Sequence, residues 1–301
     1  MRRMNTRQAI HIAALVSLLI GLSACSTFQE VPPTVTVTAP SPTMTVTATP
    51  TLIPPTATPT PLGCLTQSGK IEQGVVTTTD PQQPYTIYLP PCYSELTDQR
   101  YPVLYLLHGQ TYTMDQWVRL GVPQVMDEMF FSGTSAPFIV VFPDDSLWNI
   151  GAGWGFGDRL IGSLIPYIDA TYRTIPDRDH RAIGGLSRGG GWAAQLGLQN
   201  PGMFGSIGLH SPAIFKGDGY AMEKLVQNVP DESRPRLWLD MGDVDREWKS
   251  ILEFEDMLTY FRYPHEFQLY LGDHSEIYWG AHVRDYLRWY AEAWNEKPEG
   301  E

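Results

Sequence analysis

The sequence predicts an α/β fold, a mostly parallel sheet with helices on both faces, and three observations carry that expectation. Short runs such as Val103-Leu104-Tyr105-Leu106-Leu107 and Phe138-Ile139-Val140-Val141-Phe142 are apolar almost without interruption, the pattern of strands buried on both sides. Most such runs are followed by a segment with helical periodicity, so strand and helix alternate along the chain. Several of the runs stop at glycine, histidine or aspartate, as at His108-Gly109, Pro143-Asp144-Asp145 and Gly272-Asp273-His274. In open parallel sheets the carboxyl ends of the strands are where function resides.

The amino terminus belongs to targeting. Arg2, Arg3 and Arg7 precede the apolar run Ile10 to Leu22, which ends in Leu22-Ser23-Ala24-Cys25. This is a signal peptide with small residues before a cysteine, and the run is too short for a comfortable membrane span. Leu-Ser-Ala-Cys resembles the lipobox of bacterial lipoproteins, which implies cleavage before Cys25 and lipidation of that residue. The expectation is an extracytoplasmic lipoprotein, held at a membrane by its N-terminal anchor; ordinary secretion with Cys25 lost or left free is the alternative.

Residues 26–62 are threonine, proline, valine and alanine with Glu30 as their one charge, a composition with no period that could close a core. They read as a disordered, extended stalk, and their Thr-Pro character suits O-glycosylation. The globular domain then runs over residues 63–301. The first 62 residues hold three arginines and one acid, so the remainder carries 18 basic and 32 acidic side chains, net −14 against −12 for the whole chain. Such a domain does not seek nucleic acid or anionic membrane through its field. With Cys25 lipidated, Cys64 and Cys92 are left, and outside the cytoplasm an even pair is expected to be bridged.

Within the domain, Val75 to Thr79 and Tyr85 to Leu89 read as an antiparallel hairpin around Asp80-Pro81. The strand ending at His108-Gly109 leads through a loop, Gln110 to Trp117, to a helix from Gly121 to Phe131. After the Phe138 strand comes a loop rich in glycine and aromatics, Trp148 to Gly157. Asp158 is expected to cap a helix from Arg159 to Tyr172, whose stripe is Leu160, Ile161, Leu164, Ile165 and Ile168. Strand Arg181 to Gly185 meets Ser187, and a helix follows from Arg188 to Gln199. Strands Phe204 to Leu209, Arg236 to Met241 and Glu266 to Leu271 follow, with helices Glu247 to Phe261 and Tyr278 to Trp294.

Ser187 stands in Gly185-Leu186-Ser187-Arg188-Gly189, where glycines leave room for a tight strand-to-helix turn that lifts a hydroxyl clear of the backbone. The pattern alone also describes a plain glycine-rich turn. Its support comes from two other strand ends, which supply aspartates after the Arg236 run and His274 after the Glu266 run. The order Ser, Asp, His is that of the α/β-hydrolases. A serine hydroxyl needs an adjacent base, which His274 would supply, and a carboxylate must fix the imidazole tautomer. Asp240 lies within its strand and Asp273 would have to turn back on its neighbour. Asp245, three residues past Gly242, has the reach, with Asp243 as the competing choice. A tetrahedral intermediate needs two donors, for which the N–H groups of Arg188 and Gln110 are placed.

Tyr-Pro-Val-Leu-Tyr-Leu-Leu-His-Gly, Arg-Ala-Ile-Gly-Gly-Leu-Ser-Arg-Gly-Gly, Phe-Gly-Ser-Ile-Gly-Leu-His-Ser-Pro, the Gly-x-x-Asp of Gly242 to Asp245, and Gly-Asp-His-Ser-Glu-Ile-Tyr-Trp together resemble the esterase family that includes esterase D, the feruloyl esterases and the antigen 85 mycolyltransferases. The resemblance covers nearly all of Thr86 to Trp294. It implies an α/β-hydrolase fold, Ser187 as nucleophile, Asp245 as acid, His274 as base, and Gln110 and Arg188 as oxyanion-hole residues. One departure is Arg188, where relatives commonly carry methionine, and a charge there bears on acyl preference.

The resulting expectation is a serine esterase that needs no cofactor and no metal, acting on a small-molecule or carbohydrate ester, with feruloyl and acetyl esters as candidates. An acyltransferase of antigen 85 type and a catalytically silent binding module are the alternatives. Trp148, Trp154 and Phe156 either line the substrate pocket or pack beneath their long loop. His108 is expected to be a structural part of its turn, and Trp279 to pack beside His274. His210, His265 and His282 have no ligand-like spacing.

Overall fold

The computed structural model describes residues 63–145, 155–215 and 219–295. Cys25, the stalk, Trp148 and Trp154 therefore lie outside the described residues. Eight strands form one sheet in the order β1-β2-β4-β3-β5-β6-β7-β8. They are β1 Lys70–Val76, β2 Gln83–Leu89, β3 Val103–Leu107, β4 Ile139–Pro143, β5 Arg181–Ser187, β6 Ser206–Pro212, β7 Arg236–Gly242 and β8 Glu266–Tyr270. β1 and β2 are antiparallel, β2 meets β4 antiparallel, and from β4 to β8 every pairing is parallel. This is the expected α/β-hydrolase arrangement.

The central strands are apolar on both sides because each side has its own core. Val103, Tyr105, Leu107, Ile139 and Val141 face a cluster completed by Phe156, Leu160, Leu196, Ile251 and Phe254. Leu104, Leu106, Val140 and Phe142 face the opposite cluster, completed by Trp117, Met126, Tyr286 and Tyr290. Successive side chains of a strand point to opposite faces, so one uninterrupted run feeds both layers. Each fully buried aliphatic or Phe side chain contributes about 1.5–3 kcal/mol. The helices supplying these layers include α1 Gln116–Arg119, α2 Val122–Phe131, α3 Phe156–Arg159, α4 Ile165–Thr171, α5 Arg188–Gln199, α6 Gly219–Asn228, α7 Trp248–Tyr260 and α8 Glu276–Glu292.

Tyr290 of α8 reaches down between β5 and β6, and a Cβ on either Gly184 or Gly208 would overlap its hydroxyl. Those two glycines exist to admit a tyrosine. A disulfide joins Cys64, in the turn that opens the domain, to Cys92 just after β2.

Three differences from the sequence expectation have physical causes. β1 starts at Lys70, well before Val75, because it is an edge strand with mostly exposed side chains and no apolar run to mark it. Asp158 caps nothing: the helix opens at Phe156, behind Gly155 with φ 72°, which leaves Asp158 inside the first turn. That helix then widens into a π segment, Leu160–Leu164, before Pro166 falls at the start of α4, where a missing N–H is tolerated. α6 was not expected; Met222 and Val226, four apart, are its buried face.

Candidate active site

β5 ends at Ser187 and α5 begins at once, with no connecting loop. The serine takes φ 51°, ψ −120°, a region rarely adopted by a side-chain-bearing residue and worth about 1–3 kcal/mol of strain. Close packing holds it there: a Cβ on Gly189 would overlap the Leu107 carbonyl, so the start of α5 lies directly against the end of β3.

β7 and β8 bring up the partners. The His274 Nε2 lies 2.8 Å from Ser187 Oγ, and its Nδ1 lies 3.0 and 3.2 Å from the two carboxylate oxygens of Asp245. A carboxylate only accepts, so Nδ1 carries the proton and Nε2 offers its lone pair to the serine O–H. Trp279 presents an edge-to-face ring to His274 at 4.9 Å between centroids, as expected. Burial pushes the Asp245 carboxyl up, but hydrogen bonds from His274, Ser211 and the Glu247 N–H outweigh it and hold the group below the ordinary aspartate range. Asp243, the competing acid, instead accepts from the Gly272 N–H at 2.9 Å and ties the two loops together.

The cleft over Ser187 measures about 580 Å³ and is lined by Gln110, Tyr112, Arg246, Glu247, His274 and Trp279, among others. Gln110 lines the cleft, and Arg188 is the first residue of α5, directly after Ser187. The helix dipole at the start of α5 favours negative charge there.

His108 keeps to its turn: it accepts from the Asp145 N–H through Nε2 at 2.8 Å, and its Nδ1–H donates to the Gly109 carbonyl. The Arg188 guanidinium is not part of the cleft wall. Its Nε donates to Asp145 Oδ2 at 2.9 Å, an oxygen it shares with the Trp192 indole N–H. Its charge is balanced by a buried acid that sequence reading did not single out. Of the two roles expected for Phe156 the structure gives the packing one and not the substrate-lining one: it is buried, packs edge-to-face on Trp192 and does not line the cleft. Sequence reading also missed Ser211, whose hydroxyl touches both Asp245 and His274. Its place in His210-Ser211-Pro212, at the carboxyl end of β6, was the available signal. Among the described residues no group of three or more His, Cys, Asp or Glu is arranged to hold a metal ion.

The profile of a family described as Putative esterase matches residues 77–290. The chain belongs to that family. It is 34% identical over 163 residues to an endo-1,4-beta-xylanase/feruloyl esterase of Xylanibacter ruminicola, covering 50% of this chain and 22% of that protein. It is 33% identical over 133 residues to an esterase of Mycobacterium tuberculosis, covering 39% of this chain and 27% of the relative. The chain thus spans about a quarter of the length of these curated relatives. A solved structure of a ferulic acid esterase superposes with TM-score 0.67 at 26% identity, covering 75% of this chain and 98% of that one.

Proposed function

We propose that the protein hydrolyses carboxylic esters through an acyl-enzyme on Ser187. The observation that carries the reading is the continuous set of contacts from Asp245 through His274 to Ser187 at the floor of an open cleft. Ser187 Oγ forms a bond to the ester carbonyl carbon while its proton passes to His274 Nε2. The carbonyl electron pair moves to the oxygen, which the Gln110 and Arg188 N–H groups receive. Collapse expels the alcohol, which takes the proton from Nε2. Water, deprotonated by the same nitrogen, then attacks the acyl carbon and releases the acid and Ser187.

A feruloyl or acetyl ester of a carbohydrate is the proposed substrate. Its support is the names of the relatives and a cleft that offers Tyr112 and Trp279 beside polar groups, a suitable lining for a sugar. Hydrolysis of nitrophenyl acetate and of a feruloyl sugar ester, with Ser187→Ala as control, tests the reading. The variant should lose about 10⁴-fold or more in kcat. Equal rates for the two proteins would remove it. Lipid anchoring at Cys25 belongs to the same proposal on the strength of Leu22-Ser23-Ala24-Cys25. It requires that the protein sediment with membranes and that Cys25→Ser release it, and native protein found wholly in the soluble fraction would contradict it.

A further inference from the structure

We infer that Ser211 is a positioning residue of this site, its hydroxyl fixing Asp245 and His274 relative to each other; the inference rests on the ester-hydrolase reading above. β5 and β6 run in register up to Leu186 opposite His210, but Ser187 is then opposite Pro212, so Ser211 is the extra residue of a bulge. Bulges re-aim side chains. Ser211 takes φ 49° and is fully buried, a left-handed conformation on a residue whose side chain is aimed away from the ladder and at the acid–base pair.

The hydroxyl has one proton and two neighbours. Asp245 can only accept, so Ser211 donates to Asp245 Oδ2. Its lone pair then faces His274 Nδ1 at 2.9 Å, and the Nδ1–H is shared between the carboxylate and the serine oxygen. The other carboxylate oxygen, Oδ1, accepts from the Glu247 N–H at 2.7 Å. With one anchor on each oxygen the carboxylate plane cannot rotate, and the imidazole that follows it stays aligned with Ser187. When His274 becomes an imidazolium, the positive Nδ1–H meets two acceptors. Ser211 forms and breaks no covalent bond. It acts on the rate through orientation, since it is fully buried and does not line the cleft.

Two variants separate the hydroxyl from the backbone. Ser211→Ala removes the oxygen, and Ser211→Gly removes it while suiting the positive φ. With nitrophenyl acetate both should lose about 10- to 100-fold in kcat, the range for one hydrogen bond to a charged group, with KM within about twofold. The melting temperature of Ser211→Gly should stay near the native value. The low-field proton NMR signal of His274 Nδ1–H should shift in both, because one acceptor is gone. A native-like kcat in either variant, including a loss in Ser211→Ala that Ser211→Gly does not share, overturns the role. Ser187→Ala sets the background. If it is inactive while the Ser211 variants are native-like, only the positioning role fails; if it is as active as the native protein, the hydrolase reading fails and the positioning role with it.

Discussion

Two aspartate–histidine pairs lie close together along β7 and the loop beyond it, and only one of the two borders the cleft. Asp240 accepts from His210 Nδ1 at 2.9 Å, much as Asp245 accepts from His274. Asp240 also accepts from the Trp238 indole and from the hydroxyls of Tyr278 and Tyr286, and both members of the pair are fully buried. The far nitrogen makes the difference. His210 Nε2 meets the Tyr290 hydroxyl at 3.0 Å, inside the layer beneath the sheet, whereas His274 Nε2 meets Ser187 Oγ on the wall of a cleft. An acid beside an imidazole is therefore common protein architecture. It becomes an acid–base device where the second nitrogen faces a nucleophile that substrate can reach.

Substitutions on the two sides test that distinction. The largest effect is expected from Asp245→Asn, which should lower kcat about 10³- to 10⁴-fold by favouring the wrong imidazole tautomer, while the folded structure persists in circular dichroism. Asp240→Ala should act on the other axis. It strands four donors in the interior and should cost about 3–5 kcal/mol in denaturant unfolding, yet leave kcat of the folded enzyme within about threefold. A loss of kcat in Asp240→Ala as deep as in Asp245→Asn would break the comparison, because the buried pair would then be coupled to the reaction.

What could be read from the sequence follows from where each signal resides. The central strands were legible because burial on both faces forces uninterrupted apolar runs at Val103–Leu107 and Ile139–Pro143. Both edge strands, β1 and β8, have mostly exposed or half-buried side chains; β8 was still placed to within one residue, whereas the limits of β1 were missed. Ser187 and His274 were readable because each sits at a strand end next to a glycine-bearing turn. Asp243 and Asp245 were not separable by spacing alone: both lie in one turn, and the direction of each carboxylate is set by contacts with Gly272 and Glu247. Ser211 and Asp145 stand at or just past strand ends, but nothing local to them assigns a role. A serine on a bulge and an acid under an arginine acquire meaning only from residues distant in sequence, His274 in one case and Arg188 in the other.

The tyrosine that lies between β5 and β6 has a consequence for how this chain can vary. Its hydroxyl occupies the volume that side chains at 184 and 208 would need, so the three positions are sterically coupled. A larger residue on either strand is admissible only together with a smaller one at 290. The strands so gauged are β5 and β6, which end at Ser187 and Pro212, so the packing of α8 bears directly on the backbone that carries Ser187 and Ser211.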